Sequence, residues 1–216
     1  DYSQSQQSLS SEYILRASEI ALAVATYNAA MGRIVAAPTA GSCGILPGLI
    51  FAYKELFRPE EDALVDALIV AGSVGEVVAS RATLAGAEGG CQAECGAAVA
   101  MGAAALVALR GGTSEAIGHS VALTFKSILG LVCDPVGGLV ESPCIKRNGL
   151  LVSLAVLGAD MALAGMESII PADEVIDAMA QVGRAIPESL RETAQGGLAI
   201  TPTARRLVAE IFHERW

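Results

Sequence analysis

Apolar positions along the chain recur mostly at helical spacing, and the two-residue alternation expected of half-buried strands is nearly absent. The polar step Ser10–Ser11–Glu12 predicts the start of a first helix that runs to about Met31. Proline and glycine then break the pattern over Ile34–Gly44, and a short helix follows over Leu46–Leu56. Pro59 opens the acidic turn Glu60–Glu61–Asp62, which faces the positive end of the next helix dipole; that helix reaches about Ser80. Ala85–Gly90 reads as a glycine loop. Beyond it come helices over Cys91–Leu109 and Ser114–Leu129, a third loop over Gly130–Pro143, and a long helix from Cys144 to about Met166. Pro171, Asp173 and Glu174 start another helix, to about Ala185. Thr201 followed by Pro202 caps and launches the last one. No linker, repeat or low-complexity tract divides the chain. The expected fold is all-α, a single helical domain over residues 1–216 whose glycine-rich loops converge on a cofactor site.

Composition sharpens this picture. Hydrophobic residues make up 53% of the 216 positions, there are 23 glycines besides, and only 17% of residues are charged. A chain this apolar is not disordered. Its longest uncharged run, Ile34–Tyr53, has the length of a bilayer span but holds Pro38, Gly41, Gly44, Pro47 and Gly48, which is loop chemistry. No membrane association is expected; the helices are instead buried by each other or by a partner. With 14 basic against 23 acidic residues the net charge is −9, which leaves no basic stripe for nucleic acid. The first ten residues lack the order of a signal peptide, and the chain opens on Asp1, so a fragment or processed form is expected.

Five cysteines stand at positions 43, 91, 95, 133 and 144. An odd number in a signal-less acidic chain argues for the reducing cytoplasm over a disulfide framework. Any one of them taken alone is readily a small buried hydrophobe. Together they lie in or beside the three loops that break the helices, and Cys91 and Cys144 each start a helix, where free amides favour thiolate. The spacing fits neither zinc nor a ferredoxin: no pair is separated by two residues, and His119 and His213 are remote in sequence. Spacing alone says only that three loop–helix junctions are able to converge.

A resemblance goes further. Gly130–Leu131–Val132–Cys133–Asp134–Pro135–Val136–Gly137–Gly138, continued by Ser142–Pro143–Cys144–Ile145–Lys146–Arg147–Asn148, is similar to the signature of iron–sulfur-dependent L-serine dehydratases, in their α subunit or catalytic half. Asn28–Ala29–Ala30–Met31–Gly32, Ala37–Pro38–Thr39, Glu88–Gly89–Gly90–Cys91–Gln92–Ala93–Glu94, Arg191–Glu192–Thr193 and Gly196–Gly197–Leu198–Ala199 resemble the same family, in its order. The resemblance implies that Cys91, Cys133 and Cys144 hold a 4Fe–4S cluster, while Cys43 and Cys95 are structural. It also implies L-serine as substrate, a β subunit as partner within an oligomer, and a missing glycine-rich segment ahead of the first helix. Ala40 stands where many relatives carry asparagine.

The implied chemistry is loss of water and then ammonia from serine, with an open iron acting as Lewis acid on the β-hydroxyl. Thr39, Gly41 and Ser42 offer hydroxyls and amides for the substrate carboxylate, or make an ordinary turn. Lys126 is the candidate base if burial lowers its pKa; otherwise it is a cation suited to a helix C-terminus. His119 reads as an interior histidine, and Arg191 with Glu192 as an ion pair either supporting the site or lying on the surface. The base is alternatively on the partner. Two other readings compete: a cysteine desulfidase, in which sulfide leaves instead of water, and a non-catalytic helical scaffold.

Overall fold

Ser11 accepts a hydrogen bond from the Ile14 amide and so starts the first helix of the computed structural model, which describes residues 8–212. That helix, α1 (Glu12–Ala29), is followed by α2 (Ile45–Phe57), α3 (Glu61–Arg81), α4 (Gly86–Gly89), α5 (Cys91–Leu109), α6 (Ser114–Lys126), α7 (Cys144–Leu163), α8 (Ala172–Ala185) and α9 (Pro202–Phe212). No strand occurs among the described residues. The fold is all-α, as the periodicity predicts.

The helix starts follow the sequence closely. Thr201 accepts from the Ala204 amide ahead of α9, and Glu61 and Asp62 fill the first turn of α3. The helix ends differ more. The first, sixth and seventh helices stop at Ala29, Lys126 and Leu163, short of the residues to which apolar spacing carries them. Gly86–Gly89, predicted as loop, closes one helical turn because Thr83 holds it from below: its hydroxyl donates to Glu88 at 2.7 Å and accepts from the Ala85 amide at 3.1 Å.

Helix α5 is the axis of the molecule. Sixteen of its residues, from Cys91 through Val107, are buried, and α2, α3, α6, α7 and α8 all pack against it. It is apolar around its whole circumference, as a helix enclosed on every side must be. Alanine dominates its surface, so neighbours approach closely. In α1 the buried stripe Ala17, Ala21, Ala25 works in the same way against α2 and α7.

Both α3 and α5 are long and apolar enough to cross a membrane, but 83% of the apolar stretch of α5 is buried as core. Helix α3 sets Leu64, Ala67, Ala71, Gly75 and Val78 inward and leaves Val65, Leu68, Ile69 and Val77 exposed. The site described next lies at the opposite consequence of the packing: the N-terminal ends of α5 and α7 meet the two loops that precede them.

Candidate active site

Cys91 opens α5 directly after Gly90, whose φ of 74° and ψ of −179° only glycine adopts comfortably. This bend swings the chain from α4 into α5 and lets the Gln92 amide donate to the Leu131 carbonyl at 3.0 Å. Gln92 is fully buried and fully satisfied. Its Nε2 donates to the carbonyls of Gly89 and Met179 at 2.9 and 3.1 Å, and its Oε1 accepts from the Gly130 amide at 2.8 Å. One amide side chain thus fixes where the loop bearing Cys133 leaves α6.

Cys133 is clamped on both sides by backbone. Its amide donates to the Leu190 carbonyl at 2.9 Å, and its carbonyl accepts from the Glu192 amide at 2.7 Å. This makes an isolated parallel bridge between Cys133 and Arg191. Glu192 follows it with a φ of 67°, uncommon for a residue with a side chain.

Cys144 opens α7, and Arg147 lies three residues on, within its first turn. Arg147 donates from Nη1 to the Val132 carbonyl and from Nη2 to Asp134 Oδ1, both at 3.0 Å. The other Asp134 oxygen accepts from the Leu198 amide at 2.8 Å. The pair is well buried, at 17% and 5% side-chain exposure, and it straddles Cys133 from the helix that starts at Cys144. Asn148, fully buried one position further, ties the same helix to the Gly41–Gly44 turn.

These contacts gather Cys91, Cys133 and Cys144. Cys91 and Cys133 are buried, Cys144 is half-buried, and all are free thiols. Burial pushes Cys133 far up and Cys144 up to about 11, with the charge of Cys91 adding to both. Cys91 moves the other way: a hydrogen bond with Cys95 holds it down, and the Arg147 guanidinium adds to that. Cys95, the other end of that hydrogen bond, goes up, and burial raises Cys43. No three acidic, thiol or imidazole groups among the described residues stand close enough to hold a single metal ion. Three free thiols from three separate junctions have the donor chemistry that an iron–sulfur cluster takes.

The remaining predicted residues fall in different places. Thr39 Oγ1 donates to Glu94 Oε1 at 2.5 Å, and Ser42 is buried with its Oγ 3.0 Å from Thr39 Oγ1. The Thr39 hydroxyl of that turn is therefore already engaged by a protein carboxylate, and Ser42 pairs with Thr39. Lys126 sits in the last turn of α6 and makes no hydrogen bond or ion pair among the described residues. His119 is interior, accepting from the Ser168 amide at 3.1 Å while its Nε2 is buried without a partner. Arg191 donates to the Glu88 carbonyl at 3.3 Å and does not pair with Glu192. His213 lies outside the described residues.

Glu94 is the residue that sequence reasoning passed over. Its signal was present: it is the one charged side chain in a nineteen-residue helix that, Gln92 apart, is apolar or small. Burial raises its pKa, and the nearby Glu192 charge adds to that.

Residues 2–199 match the family described as Serine dehydratase alpha chain. The chain belongs to that family. Among serine dehydratase alpha chains, it is 54% identical over 211 residues to the probable L-serine dehydratase alpha chain of Bacillus subtilis strain 168, covering 98% of this chain and 70% of the relative. With the L-serine dehydratase alpha chain of Peptoniphilus asaccharolyticus it shares 45% identity over 214 residues, 99% of this chain and 73% of the relative. The L-serine dehydratase TdcG of Escherichia coli K12 is 41% identical over 182 residues, 83% of this chain but 40% of that longer protein.

Proposed function

We propose that this chain is the catalytic α subunit of an iron–sulfur L-serine dehydratase, which converts L-serine to pyruvate and ammonia in the cytoplasm together with a β subunit. What supports the reading is that Cys91, Cys133 and Cys144 are free thiols, and that Arg147, in the first turn after Cys144, pairs with Asp134 beside Cys133 and lies against Cys91. These three cysteines would hold a 4Fe–4S cluster. When bound with three protein thiolates, such a cluster supplies an open iron as a Lewis acid for the departing β-hydroxyl.

The chain's own residues prepare that site. Arg147 lies against Cys91 and offsets negative charge gathered by the thiolates. The Gly90 bend and the Cys133 clamp fix two of the sulfurs on rigid backbone, and burial excludes water around them. Loss of water from serine gives 2-aminoacrylate, whose tautomer is hydrolysed to pyruvate and ammonia. The acceptor of the α-proton is either Lys126, which makes no hydrogen bond or ion pair among the described residues, or a group on the partner chain.

The test is purification of both subunits without oxygen, followed by an iron count, the charge-transfer absorbance of iron–sulfur bonds, and pyruvate release from L-serine with L-cysteine as control. Iron retained by the wild type and lost from Cys133→Ala, with pyruvate formed from serine, is expected. Reconstituted protein that holds no iron, or a Cys133→Ala variant with undiminished iron, would sink the proposal. Faster release of sulfide from L-cysteine than of ammonia from L-serine would instead favour a desulfidase.

A further inference from the structure

Gly86 marks a cradle beside the cysteines. A Cβ placed on it would stand 3.3 Å from Cys133 Sγ, 3.4 Å from Glu94 Oε2 and 3.5 Å from Glu192 Oε2. Two carboxylate oxygens and a thiol proposed as a cluster ligand therefore border one small space. The two acids arrive there by different routes, Glu94 from the first turn of α5 and Glu192 from the strap that clamps Cys133. Neither forms an ion pair with a basic side chain among the described residues. Glu94 is not loose: Thr39 holds its Oε1. That leaves Oε2 presented to the cradle.

Glu94 is half-buried and Glu192 is exposed. A carboxylate held partly out of water without a cation is costly, and a ligand that carries N–H donors and positive charge relieves that cost at Glu94. A second carboxylate would be repelled from the same corner. We propose that Glu94, with Glu192 across from it, accepts the α-ammonium of the substrate and so restricts the site to amino acids over hydroxy acids. This rests on the serine dehydratase reading above and assigns the Thr39–Ser42 turn a new part in it. The turn aims a protein carboxylate at the ammonium end of the substrate; it is not the seat of the substrate carboxylate.

The experiment uses the cluster-loaded holoenzyme with its partner subunit and initial-rate kinetics, with affinity read as the KM of L-serine, which is turned over, and as the competitive inhibition constant of 3-hydroxypropanoate. The probes are L-serine and 3-hydroxypropanoate, which keeps the carboxylate and β-hydroxyl but replaces the ammonium by hydrogen. Wild type is expected to bind L-serine at least about tenfold more tightly than 3-hydroxypropanoate, the scale of one charge-assisted hydrogen bond. Equal affinities in the wild type alone would overturn the proposal, whatever the variants do. Glu94→Gln, compared at matched iron content, is expected to weaken L-serine by about tenfold or more and leave 3-hydroxypropanoate within about threefold. A variant that keeps its preference for L-serine, or weakens both ligands alike, would also overturn it. Pyruvate release by the wild type separates the two levels: its absence counts against the dehydratase reading, its presence with an unchanged Glu94→Gln preference against the ammonium assignment alone.

Discussion

Asn148 closes the Gly41–Gly44 turn from the far side of the molecule: its Oδ1 accepts from the Gly44 amide at 2.9 Å and its Nδ2 donates to the Gly41 carbonyl at 2.7 Å. The same Nδ2 also reaches the Cys144 carbonyl at 3.0 Å. One fully buried amide thus couples the turn that holds Glu94 to the helix that begins with a site cysteine. Asn148→Ala is expected to strand buried partners and cost about 2–3 kcal/mol, lowering the melting temperature of the metal-free chain by roughly 5–10 °C. Calorimetry checks it; a shift under about 2 °C would show that water replaces the amide.

The Arg147–Asp134 pair makes a different prediction because both partners are charged. Arg147→Met leaves the Asp134 carboxylate buried beside Cys133, and breaking such a pair costs about 3–5 kcal/mol. The double variant Arg147→Met with Asp134→Leu removes the orphaned charge and should recover part of that loss. Recovery stays incomplete because the Leu198 amide loses its acceptor. Urea unfolding of the two variants measures the difference, and a double variant less stable than the single one would refute the assignment.

How much of this was readable in the chain differs residue by residue. Thr201 with Pro202, and the acidic turn after Pro59, announce helix starts through chemistry confined to four residues, and the structure has them there. The junction cysteines were legible as positions but not as a constellation, since the contacts that gather them are long-range. Arg147 meets Asp134 across a loop, and Gln92 meets Met179 across 87 residues, with no periodicity to signal either. The strap from Glu188 to Ile200 has neither helical nor strand spacing, so nothing local foretells that its backbone pairs with Cys133. Glu94 was overlooked for a related reason: a lone acid on an apolar helix has meaning only once its neighbours are known.

Gly86→Ala separates the needs of the fold from those of the site. Gly86 stands in a helical turn, where alanine is the better residue by about 1 kcal/mol. Its new methyl would crowd Cys133 Sγ at 3.3 Å and occupy the space beside Glu94 and Glu192, in ordinary contact at 3.4 and 3.5 Å. We expect a melting temperature within about 3 °C of wild type and serine turnover lower by at least about tenfold, as misplacement at a reacting centre produces. Gly118→Ala, where the added methyl meets nothing within 4 Å, is the control expected to keep full turnover. Equal turnover in the two variants would mean that the cradle is not used.

The thiols give the last prediction, one of pH. Cys144 is raised from 9.0 to about 11 in the folded chain, first by burial and then by the charge of Cys91. In the metal-free protein the unfolded chain therefore releases this proton before the folded chain does. Between pH 9.0 and about 11 the folded state binds more protons than the unfolded state, so stability falls as pH rises through that window. Below pH 9.0 both states hold the proton and the group contributes no slope. Cys144→Ser removes the titrating thiol and should flatten part of the decline, with the other raised thiols, Cys133, Cys95 and Cys43, sustaining the rest. Urea midpoints taken at half-unit steps from pH 8 to 11 on the reduced, metal-free chain read this directly. A midpoint that holds level across that range, or a Cys144→Ser curve that overlays the wild type, would show that the thiols do not share one low-dielectric site.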